Sequence, residues 1–231
     1  MPTTPRDRAR AQTMEEITRL GREHLAVHGA AGLSLRAVAR DLGLVSSAVY
    51  RYVKSRDDLL TLLVVDAYTE LGDQVDAAVA VVDRADHGGR FRALARAVRE
   101  WALREPAGYA LLFGSPVPGY DAPADQTTGP GTRVVTALVR IFDDAHRAGV
   151  LSPPGAAGLP ADLSADVHRI REEMGLAMPE EVIATGVLVW AALFGVVNFE
   201  AFGQYGPHTF SAPDQLFEHH LTVLEAAIGL G

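Results

Sequence analysis

With 231 residues, 48% of them hydrophobic and 22% charged, the chain suits one large domain or two modest ones and can bury a sizeable core, unlike a disordered sequence. It contains no cysteine, which excludes a disulfide framework, a thiolate zinc site and a thiol nucleophile. The formal net charge of -8 is unevenly spread: residues 1–56 hold ten Arg/Lys against five Asp/Glu, leaving eleven against twenty-four in the remainder.

The apolar pattern is helical nearly throughout. Met14, Ile17, Leu20 and Val27 fall at helical spacing, and this first helix stops between Gly29 and Gly32. Ser34 can cap the next, in which Leu35, Val38, Ala39 and Leu42 lie at i, i+3, i+4 and i+7; Gly43 ends it with a residue free to turn left-handed. A short helix follows to about Val53, and Ser55-Arg-Asp-Asp58 resembles a capping box opening a long helix towards residue 83. "RADHGG" (84–89) breaks the pattern, and a helix from about 90 to 104 ends near Pro106. The Pro- and Gly-rich stretch 114–131 and "SPPGAAGLP" (152–160) read as loops. Helices near 132–148, 162–175, 179–203 and 213–228 complete an all-α chain without repeats or strand patterns.

The uncharged run 182–197 needs a membrane test. As a helix those 16 residues span about 24 Å at about 1.5 Å each, short of a hydrocarbon core of about 30 Å, so a core or subunit-interface helix is expected and no membrane partner. The first twenty residues are polar and helical in pattern rather than a signal peptide, and with the absent cysteines this implies a cytoplasmic protein.

Residues 35–54 carry the most specific signal. A helix with small Ala39, Gly43 four residues later and a second short helix with Val49 turned inward make a helix-turn-helix, its seam drawn from Val38, Leu44 and Val49. The second helix fits a major groove about 12 Å wide. Ser46, Ser47, Tyr50 and Arg51 then face outward. Combined with the basic balance of residues 1–56, this arrangement points to a phosphate backbone; the competing reading is a solvated basic face.

Here "SLRAVARDLGLVSSAVYRYVKSRDDLL" (34–60) resembles the signature of the TetR family of bacterial transcriptional regulators, carried by Ser34, Val38, Ala39, Gly43, Tyr50, Tyr52 and Leu59. The stretches 109–120 and 190–203 are similar to a carboxy-terminal ligand-binding subgroup named for a Trp-His-Gly motif, although Phe194 stands where its histidine is expected. Val53 replaces a phenylalanine usual in the family, Val45 the serine that starts its recognition helix, so that Ser46 is left to cap, and Arg56 a common lysine. The resemblance implies a DNA-binding domain at residues 10–70 and an effector-binding and dimerisation domain at 71–231. It also implies phosphate contacts from Tyr50 and Lys54, with Ser34 or Arg36 at the entry of the preceding helix, and a base-reading face at Ser46, Ser47 and Ala48. Tyr50 as an aromatic cover over the helix seam is the alternative.

The implied function is a homodimeric, ligand-responsive regulator, a repressor released from a near-palindromic double-stranded operator by a small apolar or aromatic effector. Trp101, Tyr109, Phe113, Tyr120, Phe142, Trp190 and Phe194 are candidates to line its pocket, ordinary core being the alternative for each. An activator, a DNA-binding protein without ligand and a helical enzyme are the competing functions. Nothing favours the enzyme: "GPGTRV" (129–134) lacks a third glycine and a preceding strand, and Ser115 lies outside any Gly-x-Ser-x-Gly elbow. His24 with His28, and His219 with His220, have no evident further ligands, so neither metal nor cofactor is expected.

Overall fold

The computed structural model describes residues 4–43, 45–152 and 158–230. Among them every regular element is a helix: α1 (Pro5–Gly32), α2 (Leu35–Asp41), α3 (Ser46–Val49), α4 (Arg56–Ala80), α5 (His87–Arg104), α6 (Pro106–Phe113), α7 (Ala124–Gly131), α8 (Arg133–Arg147), α9 (Ala161–Met174), α10 (Glu180–Ala201) and α11 (Pro213–Ile228). The chain forms two compact units. The first comprises the chain up to Glu70 with Arg104–Gly131, and the second Leu71–Leu103 with the chain from Thr132 onward. The first thus takes in residues 104–131, a segment that the sequence division at residue 70 assigns to the second part.

Local chemistry accounts for the helix starts. Thr4 accepts from the Asp7 N–H (3.2 Å) while the Asp7 carboxylate accepts from the Thr4 N–H (3.1 Å), a complete capping box. Ser55 accepts from the Asp58 N–H at 3.0 Å, but the short Asp58 side chain reaches the N–H of Lys54, one residue before the cap, also at 3.0 Å. α1 breaks at Gly29 (φ 65°, ψ 174°), and the Arg56 guanidinium donates to the carbonyls of Ala30 (2.9 Å) and Ala31 (3.4 Å) just beyond the break. Those carbonyls lie at a helix end, where a cation is favoured.

Two helices occupy stretches where the sequence pattern gave none. Pro106 starts α6 directly after Glu105, because the first helical position loses nothing by lacking an N–H. α7 forms within the Pro/Gly-rich stretch expected to be a loop: Pro123 precedes it, with its carbonyl accepting from Gln126 and Thr127, and Pro130 falls in its last turn. Composition signalled a loop there, but Pro123 stands before the first turn, where its missing N–H costs nothing, and Pro130, inside the helix, comes one residue before its end, so that few helical residues follow it.

In the first unit, Ile17, Leu20, Leu33, Leu35, Val38, Ala39, Val49, Val53, Leu59, Leu60 and Leu63 form one buried cluster. Val27, expected on the inner face, is instead 75% exposed, and Leu25 is buried. Gly21 permits α1 and α4 to pack closely, since a Cβ there would stand 3.1 Å from the Leu63 side chain.

In the second unit α10 packs against α8, α9 and α11, burying Val182, Ile183, Gly186, Val189, Leu193 and Val197. At 22 residues it exceeds its 16-residue uncharged run and, by length and composition alone, is long enough to cross a membrane; about a third of its most apolar stretch is buried within the chain. Asp143, at the end of α8, fixes the turn between α9 and α10. Its carboxylate accepts from the Ala177 N–H (2.7 Å), the Met178 N–H (3.0 Å) and Arg147 Nε (2.7 Å).

Burial alone would raise the Asp143 pKa, but Arg147 and the two N–H groups outweigh it and hold the carboxyl below the usual range. Its contribution to stability is therefore complete above about pH 4 and is lost as pH falls through the lowered folded-state value. Asp143→Ala, which orphans the buried Met178 N–H, should cost about 2–4 kcal/mol at pH 7 in urea unfolding, with a smaller difference in strong acid. Equal stability of the two proteins at pH 7 would contradict this assignment.

Candidate nucleic-acid interface

The interface starts from a sharp corner. Gly43 (φ 71°) carries the chain out of α2, whose amino end is capped by Ser34 Oγ accepting from the Ala37 N–H at 3.4 Å. α3 is one α-helical turn, and its helical path continues as backbone hydrogen bonds from Tyr52 to Val49 (2.8 Å) and Val53 to Val49 (3.0 Å). The short helix expected to reach Val53 is thus α-helical only to Val49. Val38 and Val49 of the expected seam are buried, as is the small Ala39, and Val53 is core at 3% exposure, so valine serves where the family pattern has phenylalanine. Leu44 lies outside the described residues, as do the side chains of Ser46 and Ser47, the expected base-reading pair; their backbone belongs to α3. α3 begins at Ser46, preceded by Val45, whose carbonyl accepts from the Ala48 N–H at 2.8 Å.

What remains outside the seam is polar or basic. Tyr50 is 40% exposed rather than buried over the seam, and Val45 is largely exposed. Arg36, Arg51 and Lys54 are exposed; among the described residues none of them has a carboxylate at ion-pair distance. Several other cations of this unit are committed. Arg19 pairs with Glu16 and Glu23, Arg22 with Asp66 (2.5 Å) and Glu70 (2.7 Å), and Arg40 with Asp41 (3.4 Å). His24 Nε2 meets the Asp41 carboxylate at 2.7 Å, joining α1 to α2, and this contact, ahead of Arg40, holds the Asp41 carboxyl below its usual range.

One contact at this face left no sequence signal. The Arg10 guanidinium lies 5.3 Å from the centre of the Tyr52 ring, so the first turns of α1 stand beside the end of the α3 segment and bring a further cation to it. Residues 42 apart carry no periodicity that could announce such a pair.

The expected ligand-binding aromatics fall into both units. Tyr109 and Phe113, in the first, have ring centres 5.0 Å apart, and Phe113 stands edge-on to Tyr68 at 6.2 Å. Tyr109 is fully buried, which pushes its phenol up. Tyr120, also in the first unit, shares a 3.0 Å hydrogen bond with Thr61. Trp101, Phe142, Trp190 and Phe194 belong to the second. Trp101 and Phe142 are buried there, Phe142 5.9 Å from Phe91, while Trp190 is 39% exposed with Phe194 edge-on at 6.3 Å. Neither of two cavities described in the second unit is lined by any of these residues. Among the described residues no group of three or more potential metal ligands occurs.

Comparison with known proteins agrees with the geometry. Residues 91–224 match the tetracyclin repressor-like C-terminal domain, a span that includes both stretches carrying the subgroup resemblance. The chain is 48% identical over 225 residues to the HTH-type transcriptional regulator Rv1816 of Mycobacterium tuberculosis, covering 95% of this chain and 94% of that protein. The crystal structure of a proposed regulatory protein, SCO4313, superposes with a TM-score of 0.77 at 34% identity, covering 96% of this chain and 98% of the other. A TetR-family regulatory protein from Rhodococcus RHA1, at 15% identity and TM-score 0.61, shares the fold over 94% of this chain and 97% of the other. A helix-turn-helix with exposed, uncommitted cations, joined to a tetracyclin repressor-like C-terminal domain, places this chain in the TetR family of DNA-binding transcriptional regulators, and it is not an enzyme.

Proposed function

We propose that the chain acts in the cytoplasm as a homodimeric repressor that leaves a near-palindromic operator when a small apolar or aromatic molecule binds. The observation that carries the DNA half of this reading is the division of cations in the first unit: among the described residues Arg36, Arg51 and Lys54 have no carboxylate partner, while Arg19, Arg22 and Arg40 do. Uncommitted cations beside a half-exposed tyrosine suit phosphate oxygens, and exposed Val45 suits a thymine methyl in the major groove. Ser34 retains its hydroxyl proton for a phosphate while its oxygen caps α2. Ser46 and Ser47 remain the proposed base readers.

Two recognition helices in a dimer require half-sites about one helical turn, or a multiple, apart. Tyr50→Phe should weaken operator binding by about 1 kcal/mol per subunit with little change of sequence preference. Lys54→Ala should lower the magnitude of the log K against log salt slope by about one per subunit. Fluorescence anisotropy across a salt series measures both effects. An unchanged affinity and slope in the folded double variant would reduce this face to a solvated surface.

Dimerisation is supported by α10. Leu188, Ala191, Gly195 and Phe199 follow one another at three- and four-residue steps; Leu188 and Phe199 are exposed by 62% and 48%, and a Cβ on Gly195 would meet nothing within 4 Å. The sequence pattern places the helices near 179–203 and 213–228 at a four-helix dimer interface with Val182, Val189, Leu216, Leu221 and Leu224 as its apolar surface, but Leu216 is half-buried and the other four are buried within the chain's own second unit. Leu188→Glu with Phe199→Glu should convert a dimer to monomers in sedimentation velocity at micromolar concentration. A monomeric parent protein would remove the proposal.

The effector is assigned to the aromatic residues of the second unit, Trp101, Phe142, Trp190 and Phe194, whereas Tyr109 and Phe113, expected beside them, belong to the first. A true effector should raise the melting temperature, change Trp101 or Trp190 fluorescence and lower operator affinity. A broad screen of apolar and aromatic compounds that produced none of these would leave DNA binding standing and remove the sensing role.

A further inference from the structure

A cavity of about 480 Å³ lies in the second unit, walled by the end of α4, the start of α5 and the carboxy-terminal ends of α8 and α9. Four arginines line it: Arg84, Arg90, Arg140 and Arg147. Two of them are neutralised on site, Arg90 by Asp144 at 2.9 Å and Arg147 by Asp143 at 2.7 Å. Arg84 and Arg140 are not. Of the ten arginines in this unit, the other eight each have a carboxylate partner, Arg92, Arg96, Arg99, Arg133, Arg169 and Arg171 included. Among the described residues, the two arginines without one line the same cavity.

The carboxylates at this site are already engaged. Asp143 accepts three hydrogen bonds, two from backbone N–H groups, and Asp144 takes the Arg90 guanidinium. The lining therefore carries a net charge of +2, in a part of the chain where residues 57–231 hold twenty-four acids against eleven bases. A long polyanion is repelled by such surroundings, whereas a small anion reaches the two free guanidiniums. Each presents a planar fork that matches a carboxylate or phosphate edge. The remaining wall is aliphatic: Val79, Val82, Met174 and Leu176.

We propose that this cavity binds a small organic anion, a carboxylate or phosphate monoester whose charged head meets Arg84 and Arg140 and whose short aliphatic body lies on Val79, Val82, Met174 and Leu176. The volume falls within the range of about 300–1,000 Å³ typical of small-molecule sites. The site is separate from the aromatic effector residues and does not depend on DNA recognition.

Isothermal titration of the full-length protein with hexanoate, hexyl phosphate and hexan-1-ol tests it. At least one of the two anions should bind saturably, and the better of them identifies the head group. Hexan-1-ol, with the same body and no charge, should bind at least about ten-fold more weakly. Raising the salt from 50 to 500 mM should weaken anion binding several-fold, because the exposed guanidiniums are screened. Arg84→Gln with Arg140→Gln should weaken it by about ten-fold or more, with circular dichroism and operator binding unchanged. Both side chains are exposed and among the described residues neither holds an ion pair, so the variant should remain folded. Failure of both anions to bind, equal binding of the alcohol, or full binding by the double variant would overturn the proposal. Operator affinity measured on the same samples reports separately on the DNA reading.

Discussion

A helix of four residues has no stability of its own: nucleating a turn fixes several dihedrals for a single hydrogen bond. α3 exists because Val49 and Val53, at its end and just beyond, are both buried against Val38, Ala39, Leu59, Leu60 and Leu63. Burying each valine contributes about 1.5–3 kcal/mol, enough to hold one turn that propensity alone would leave unformed. The rest of the first unit serves this cluster. Gly21 brings α1 close to α4, Arg56 ties the end of α1 to the start of α4, and His24 holds Asp41 at the end of α2. The direction in which Tyr50, Arg51 and Lys54 project follows from that packing, so the proposed DNA-facing surface is set by the core beneath it.

A second constraint is the allocation of charge. On a chain with twenty-nine acids against twenty-one bases, a carboxylate is within reach of most arginines, and most are taken. Three arginines of α5 illustrate the structural use: Arg92 meets Glu218 and Glu225, Arg96 meets Glu218, and Arg99 meets Glu200 and Asp214, fastening α5 to α10 and α11. Partly exposed pairs of this kind add little stability one by one, although their shared partners make a network of them. Their clearer effect is to remove those cations from the inventory available to ligands. An unpaired arginine on this acidic background is therefore informative, on the helix-turn-helix and in the α4–α5–α8–α9 cavity alike.

The helix-turn-helix was legible because its signals are local. Ser34, Ala39, Gly43 and Val49 are close in sequence, and cap, close crossing, turn and seam each demand a particular residue type. All four roles appear in the structure, and so does the all-helical class that the 3.6-residue period implied. α6 and α7 were illegible because proline was weighed by its presence rather than by its position at a helix end. The stacking of Arg10 on Tyr52 and the pairing state of every arginine were hidden for a different reason: they depend on which side chains meet across the fold. Sequence could count ten basic residues in the first 56, but only tertiary contacts separate those that bind carboxylates from those left for another partner.

α10 shows how a helix can be apolar on nearly every side and still carry two distinct faces. Its period is weak because both faces are hydrophobic, which is why sequence alone assigned Val182 and Val189 to the wrong one. The two glycines divide the sides. A Cβ on Gly186 would stand 3.6 Å from the Phe142 ring inside the unit, while one on Gly195 would meet nothing. The inner face is satisfied by the chain's own α8, α9 and α11. The outer face, with Val187, Leu188, Ala191 and Phe199, would leave a contiguous apolar strip in water if the chain stayed alone, a cost that soluble monomers avoid. Under the proposed dimer the same helix closes the second unit on one side and joins two copies on the other. A substitution on the outer face then acts on assembly, and one on the inner face acts on folding.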